Sequence, residues 1–284
     1  MRKFAFLLAL SVLLFTTAEA QSRLEHLTVK SEILGVEKIY SIYLPDGYDQ
    51  SDERYPVLYL LHGAKGTNAS WWREGGGELQ RIADAEIAAG RAPKMIVVMP
   101  DARGEGPKKN GPNMGYFNVK GWAYEDFFFK EFIPYIDATY RTVASKDCRA
   151  IGGLSMGGGG AAAYAQRHPD VFTACYSSSG LLDIRYHPAK SDVYESSYLW
   201  SVTYHSPVEF LRDATPEQIE ALRTVRWKVD CGDDDAIVYT NLNFFLEMQR
   251  AKVDLEFRIR NGNHNWKFWR ASLPEILAFV FEKK

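Results

Sequence analysis

The sequence predicts an α/β protein with a mostly parallel central sheet and helices on both faces. Strand-like and helix-like segments alternate along the chain, and most strand-like segments are apolar on both faces. Strands of that kind are typical of a parallel sheet buried between two helix layers. A length of 284 residues with 46% hydrophobic residues suits a single globular domain. We expect this domain to span residues 21–284.

Eight segments are predicted to be strands. The first two alternate between apolar and polar residues, and the others are short apolar runs that end near Gly or Pro. In chain order they are LEHLTVKS (24–31), KIYSIYLP (38–45), YPVLYLLHG (55–63), MIVVMPDA (95–102), RAIGGL (149–154), FTACYSSSG (172–180), WKVDCG (227–232) and LEFRIRNG (255–262).

Five segments between or after these strands are predicted to be helices because their apolar residues recur at helical spacing. The aromatic repeat in the second one indicates core packing. In chain order they are GELQRIADAEIAAG (77–90), YEDFFFKEFIPYIDATY (124–140), GGGAAAYAQRH (158–168), YTNLNFFLEMQRAK (239–252) and PEILAFVFEKK (274–284).

The first twenty residues have the pattern of a secretory signal peptide. Arg2 and Lys3 precede an apolar run, and Ala18-Glu19-Ala20 supplies the small residues of a cleavage site. A membrane anchor is the alternative, but the apolar run is shorter than the roughly 20 residues that a spanning helix needs. We expect cleavage after Ala20, a secreted or periplasmic protein, and no stable membrane insertion.

The net charge indicates which partners to expect, and the number of cysteines indicates whether disulfide bonds are expected. The formal net charge is −2 and no stretch is dominated by Lys or Arg, so no nucleic-acid partner is expected. Cys148, Cys175 and Cys231 are odd in number and lie in or beside predicted strands. They are expected to act as small buried apolar residues.

Ser155 stands at the centre of a G-x-S-x-G pattern formed by Gly153 to Gly157. The pattern lies between a predicted strand and a predicted helix, which is the context of a nucleophile elbow. In such a turn the serine backbone is strained, and side chains two residues before and after it would collide. The positive end of the following helix would lie beneath a developing oxyanion. A phosphate-binding loop is disfavoured because its Lys-Ser/Thr ending is missing.

A serine nucleophile needs a base, and His264 is the strongest candidate. The chain order of the triad in this architecture is serine, acid, histidine, which leaves four histidines after Ser155. His168 ends a predicted helix, and His187 and His205 lie in a long insertion. His264 follows the last predicted strand, in a loop at its carboxyl end.

The acid should follow the preceding strand, WKVDCG, where three aspartates stand in a row. Position alone leaves Asp233, Asp234 and Asp235 as alternatives, with Asp183 as a less favoured substitute. The oxyanion is expected to be held by the backbone N–H groups of Met156 and Ala64. His62 is expected to organise the loop that carries Ala64.

Residues 181–224 separate the strands near 173–180 and 226–232 by more than a standard crossover requires. They contain aromatic residues and one short helix signal, TPEQIEALR, with Thr215 as its cap. We expect this insertion to lie over the active site.

Four motifs together resemble the esterase D family, in chain order over residues 40–284: LLHG at 60–63, GLSMGG at 153–158, CGDDD at 231–235 and His264-x-Trp266. That family includes S-formylglutathione hydrolases, tributyrin esterases and the carbohydrate esterases that act as feruloyl or acetylxylan esterases. The resemblance implies an α/β-hydrolase fold, Asp235 as the acid beside Ser155 and His264, and no cofactor or metal. The intracellular formylglutathione hydrolases lack a signal peptide and differ at His62-Gly63, which disfavours a glutathione thioester substrate.

The predicted function is therefore that of a secreted serine esterase. Its predicted substrates are acetyl or hydroxycinnamoyl esters of plant-type polysaccharides or oligosaccharides, because aromatic residues that suit sugar and phenolic rings gather near the predicted site. The candidates are Trp71, Trp72, Trp200, Tyr198, Tyr204 and Trp266, of which Trp72, Trp266 and Trp200 are predicted to bind substrate. Alternatives are a general short-chain carboxylesterase or thioesterase, an acyltransferase to a sugar hydroxyl, a peptidase, and a non-catalytic binding module.

Overall fold

A computed structural model describes residues 21–104, 115–183 and 204–282. Its main feature is an eight-stranded sheet with the strand order β1-β2-β4-β3-β7-β8-β9-β10. The first two strands pair antiparallel, β2 pairs antiparallel with β4, and all later neighbours are parallel. The mostly parallel sheet predicted from the sequence is confirmed. The strands are β1 (Arg23–Ser31), β2 (Val36–Leu44), β3 (Val57–Leu61), β4 (Ile96–Pro100), β7 (Arg149–Leu154), β8 (Ala174–Ser178), β9 (Arg226–Gly232) and β10 (Glu256–Arg260).

A separate two-stranded hairpin, which the sequence does not predict, connects β4 to the first helices of one layer. It consists of β5 (Asn118–Val119) and β6 (Trp122–Ala123), which pair antiparallel.

Helices cover both faces of the large sheet. One layer contains α2 (Tyr124–Phe127), α3 (Ile133–Thr139), α4 (Met156–Arg167) and α7 (Val238–Ala251), and the other contains α1 (Leu79–Ala88) and α8 (Trp266–Phe279). Each layer buries its own apolar cluster against the sheet. The central strands β3, β4 and β8 are buried along their whole length, as their two-sided apolar sequences predict.

The second predicted helix is interrupted by a π-helical segment, Phe128–Phe132, between α2 and α3. Pro134 lacks the N–H that would bond to the carbonyl of Lys130, so the regular ladder is broken at this point. Phe127, Phe128 and Phe132 are buried in the core, as the aromatic repeat predicts.

The last helix differs from the prediction. It begins at Trp266, with the Asn265 side chain accepting a hydrogen bond from the N–H of Phe268, and it includes Pro274 in its interior. The prediction for this helix covers only residues 274–284, so it omits the turns before Pro274. The Asn cap and the buried face of α8 outweigh the cost of the interior proline.

The described part of the insertion forms two short helices. These are α5 (Pro207–Asp213) and α6 (Pro216–Leu222), and the predicted cap Thr215 forms a capping box with Gln218. Helix α5 packs against α4 and α7, and none of residues 204–224 lines the cavity beside Ser155. The described residues of the insertion do not cover the site, because their apolar faces are buried in the helix layer. Residues 184–203 of the insertion lie outside the described residues.

Candidate active site

Ser155 occupies the sharp turn between β7 and α4. Its backbone angles are φ 54° and ψ −120°, a strained conformation for a residue with a side chain. A Cβ atom on Gly153 would lie 2.4 Å from the carbonyl oxygen of Gly157, and one on Gly157 would lie 2.5 Å from the carbonyl oxygen of Leu61. Both flanking positions therefore require glycine, because any side chain there would collide with the backbone, as the G-x-S-x-G pattern predicts.

Ser155, His264 and Asp235 are joined by hydrogen bonds. The His264 Nε2 lies 3.0 Å from the Ser155 Oγ, and its Nδ1 lies 2.8 Å from Asp235 Oδ2. Because the carboxylate can only accept, Nδ1–H donates to Asp235 and Nε2 accepts from the serine hydroxyl. The imidazole is thus held in the tautomer that can remove a proton from Ser155.

Asp235 is the aspartate of the triplet that reaches the imidazole. It is buried, and its Oδ1 also accepts a hydrogen bond from the N–H of Ile237 at 2.9 Å. Burial acts to raise the pKa of Asp235, but the hydrogen bonds from His264 and Ile237 outweigh it and lower the pKa from its ordinary value. The carboxylate is therefore charged at neutral pH.

The other candidate acids have different partners. Asp233 is exposed and accepts from the N–H of Gly262, and Asp234 is exposed as well. Asp183 is buried and accepts from the side-chain amide of Asn243 at 2.6 Å. None of these three carboxylates is hydrogen-bonded to His264 among the contacts of the described residues.

The loop that carries His264 is held at both ends. At one end, the Arg260 guanidinium donates to the buried carboxylate of Asp230 and to the carbonyl of Phe268, which ties β10 to β9 and α8. At the other end, Asn265 caps α8. The Trp269 ring lies perpendicular to the His264 ring, with 4.9 Å between the ring centres.

The two predicted oxyanion donors lie on either side of Ser155. Met156 is the first residue of α4, where backbone N–H groups have no partner within the helix. Ala64 lines the cavity beside Ser155 and follows Gly63, where an added Cβ would lie 3.4 Å from the Ser155 Cβ. Met156 thus adjoins Ser155 in the chain, and Ala64 shares the cavity wall with it.

His62 fixes the loop that carries Ala64. Its Nδ1–H donates to the carbonyl of Gly63 at 2.8 Å, and its Nε2 accepts from the N–H of Ala102 at 3.0 Å. Complete burial lowers the pKa of His62, so the ring is neutral and both bonds keep these directions. The loop-organising role predicted from the sequence is confirmed.

A cavity of about 400 Å³ opens beside Ser155 and His264. Trp266 and Trp269 form its aromatic wall, and Lys65 and Arg73 are its charged lining residues. Trp266 is one of the predicted substrate-binding residues. Trp269 was not predicted. A helix that begins at Trp266 would have indicated it, because residues three positions apart lie on the same face of a helix.

The structure does not bring Trp72 to this cavity. Its ring stacks on His26 with 4.2 Å between ring centres, and its indole N–H donates to Ser41 at 3.1 Å. Trp71 is completely buried and donates to the carbonyl of Leu61. Both residues therefore anchor the loop after β3 instead of lining the cavity, because their ring nitrogens find partners on the sheet.

The remaining aromatic and histidine candidates lie elsewhere. Tyr204 lines a separate cavity of about 270 Å³ beside the end of α4. His168 ends α4, stacks on Phe129 and contacts the Glu125 carboxylate, while His205 stacks on Phe117. Trp200, Tyr198 and His187 lie outside the described residues, as does the predicted signal peptide.

The cysteines are unpaired, and Cys175 and Cys231 are buried as predicted. The expectation of burial is wrong for Cys148, which is partly exposed because it lies in the short turn before β7 and not in the strand. Within residues 21–104, 115–183 and 204–282, no group of three or more His, Cys, Asp or Glu side chains is placed to hold a metal ion. None of the helices in those ranges combines the length and apolar character that crossing a bilayer requires.

The sheet order, the strained serine at the end of β7 and the linked histidine and aspartate define an α/β-hydrolase. The chain belongs to the family described as putative esterases, whose family model matches residues 31–280. A solved structure of a ferulic acid esterase is 40% identical, with a TM-score of 0.84, and the match covers 92% of this chain and 98% of that one.

Curated relatives match over shorter stretches. An esterase of Mycobacterium tuberculosis is 33% identical over 167 residues, which are 59% of this chain and 34% of that protein. An endo-1,4-beta-xylanase/feruloyl esterase of Xylanibacter ruminicola is 37% identical over 153 residues, which are 52% of this chain and 20% of that protein. The matches thus span about a third and a fifth of these relatives.

Proposed function

We propose that this protein is a carboxylic ester hydrolase in which Ser155 is the nucleophile, His264 the general base and Asp235 the residue that orients the base. The observation that carries this proposal is the hydrogen-bonded chain from Asp235 through His264 to Ser155, which ends at the wall of a cavity. The family membership of the chain points to the same chemistry.

The geometry supports a two-step acyl transfer. His264 Nε2 takes the Ser155 proton as Oγ attacks the ester carbonyl, and the N–H groups of Met156 and Ala64 stabilise the oxyanion. The imidazolium then protonates the leaving alcohol, which leaves the acyl group on Ser155. Water, deprotonated by His264, attacks the acyl-enzyme, and the imidazolium returns the proton to Ser155 Oγ as the acid is released. The buried Asp235 carboxylate stabilises the positive charge on His264 in both steps.

The proposed substrates are acetyl or hydroxycinnamoyl esters of plant-type polysaccharides or oligosaccharides. The aromatic wall of Trp266 and Trp269 suits a phenolic ring or a sugar face. The feruloyl esterase names of similar proteins support the same choice. Export through the predicted signal peptide, to a secreted or periplasmic location, completes the proposal because polysaccharides lie outside the cell.

The nucleophile is tested with Ser155→Ala. Triad removals typically lower kcat by about 10⁴–10⁶, so hydrolysis of an aryl acetate should become undetectable. Thermal unfolding should show that the variant is folded, and the exposed Asp234→Asn serves as the matched control. If Ser155→Ala keeps a tenth of the wild-type activity, Ser155 is not the nucleophile.

The substrate is tested with acetylated and feruloylated xylo-oligosaccharides against plain aryl esters of matched leaving group. The proposal predicts a higher kcat/KM for the carbohydrate esters and release of acid from polysaccharide. A preference for the plain esters, with no acid released from polysaccharide, would leave a general carboxylesterase.

A further inference from the structure

We propose that the ester substrate carries carboxylate groups on its alcohol side, as a uronic-acid-bearing glycan does, and that a positively charged groove beside Ser155 selects it. This inference rests on the proposed esterase function and adds to it the charge of the substrate. The groove consists of the cavity beside Ser155 and a second cleft on the surface of α1 and α8.

Among the residues that the structure describes, the wall of the cavity beside Ser155 contains cations and no anions. Lys65 and Arg73 are both exposed, and neither forms an ion pair with any acidic side chain of the described residues. Glu74 follows Arg73 in the chain but does not line the cavity. A carboxylate on the substrate would therefore find two uncompensated positive charges next to the reacting ester.

The second cleft continues this pattern away from Ser155. It has a volume of about 720 Å³, and Trp266 belongs to the walls of both the cavity and the cleft. Its charged lining residues are Arg81, Lys267, Arg270 and Glu86. Because the cleft lies open on the surface, it can take the extended alcohol part of a substrate whose ester reaches Ser155.

The charges of the cleft do not cancel. Glu86 is paired with Arg91, through contacts of 2.6 and 2.8 Å, so its negative charge is already compensated. Arg81 and Arg270 share one carboxylate, Glu78.

Lys267 is exposed and has no ion-pair partner among the described residues. The groove is thus locally positive in a protein whose formal net charge is −2. A groove of one sign raises the local concentration of oppositely charged substrate, and the effect weakens with ionic strength.

The test compares two acetylated oligosaccharides of equal length, one of uronic acid residues and one of neutral sugars. An exposed ion pair contributes about 0.2–1 kcal/mol, which corresponds to about 1.5- to 5-fold in kcat/KM per charge. We expect the wild type to prefer the acidic substrate in 10 mM salt. The preference should shrink in 500 mM salt, because charges more than a few ångströms apart are then screened from one another.

Two variants test whether these cations cause the preference for the acidic substrate. Arg73→Gln and Lys267→Gln should each lower the acidic-to-neutral ratio of kcat/KM by about 1.5- to 5-fold, mainly through KM. The control is Lys130→Gln, because Lys130 is also exposed, pairs with Asp126 and lies in the opposite helix layer. Its ratio should equal that of the wild type.

The outcomes separate the two proposals. Equal turnover of both substrates, without salt dependence, would overturn the charged groove while leaving the esterase function intact. A preference that persists in Arg73→Gln and Lys267→Gln would also overturn it. Absence of turnover on every ester, aryl acetate included, would overturn the esterase function itself. If a small anionic aryl ester shows a similar increase in kcat/KM over its neutral analogue, the cations recognise any carboxylate near the ester, and the proposal of a glycan substrate is overturned.

Discussion

Replacing Asp235 by asparagine should remove most of the activity by changing the tautomer of His264. In the wild type, Asp235 Oδ1 accepts from the N–H of Ile237 at 2.9 Å, and Oδ2 lies 2.8 Å from His264 Nδ1. In Asp235→Asn the amide oxygen keeps the bond to Ile237, since only an oxygen can accept it. The amide NH₂ group then faces Nδ1 and makes it an acceptor, so the hydrogen moves to Nε2.

The expected loss of kcat follows from this change in the tautomer of His264. A hydrogen on Nε2 points at Ser155 Oγ, 3.0 Å away, and the ring can no longer accept the serine proton. The same change in a related constellation lowers kcat by about 10⁴, equivalent to about 5.5 kcal/mol in the activation barrier. The fold should be retained, because asparagine has nearly the same shape as aspartate.

The assay is the kcat of aryl acetate hydrolysis at pH 7, with Asp233→Asn and Asp234→Asn as controls. Both controls are exposed, and surface substitutions change free energies by about 0.5 kcal/mol at most, so their rates should stay within about twofold of the wild type. An Asp235→Asn enzyme with a tenth of the wild-type rate, or an equally inactive Asp234→Asn enzyme, would refute the tautomer argument.

Two further predictions concern stability. Gly157→Ala should lower the free energy of unfolding by about 1–3 kcal/mol, since the new Cβ would lie 2.5 and 2.6 Å from the carbonyl oxygens of Leu61 and His62; urea unfolding measures it, and an unchanged midpoint would contradict the steric reason for the elbow glycine. The second prediction concerns acid: the pKa of Asp235 is lowered in the folded protein, so its stabilising contribution is present above the unfolded-state pKa and is lost as the pH falls through the folded-state pKa. The free energy of unfolding of the wild type should therefore exceed that of Asp235→Asn by more at pH 7 than at pH 3. A difference that grows as the pH falls would contradict the lowered pKa of Asp235.

The sequence predicts the sheet and the positions of the reacting groups well, because these depend on local signals. Ser155 lies between an apolar strand and a Gly-rich helix, and His264 follows the last strand. The acid was harder to identify, since Asp233, Asp234 and Asp235 occupy the same loop and position does not distinguish them. The resemblance to esterase D implies Asp235, and burial explains the difference, because only that side chain points away from solvent.

The lining of the cavity could not be predicted in the same way. Trp72 follows the oxyanion loop directly, yet its indole N–H finds Ser41 on β2, which is distant in the chain. Trp269 is not predicted, because the predicted last helix covers only residues 274–284, whereas α8 begins at Trp266. Lys65 and Arg73 line the cavity beside Ser155, and Lys267 lines the second cleft, which shares Trp266 with that cavity. The cleft forms because α8 packs beside α1, a contact between distant parts of the chain that local sequence patterns do not predict.

The strand order places His264 at the margin of the molecule. Ser155 follows β7 in the interior of the sheet, whereas His264 follows β10, the edge strand, which has a neighbour on one side only. Because β10 has one neighbouring strand and is partly exposed, we expect it to open locally at a lower free energy than the interior strands. The anchoring of Arg260 to Asp230 and α8 opposes this event. We therefore expect this protein to lose activity before it unfolds globally, and we expect the hydrogen bonds of Arg260 to set the difference in free energy between the two events.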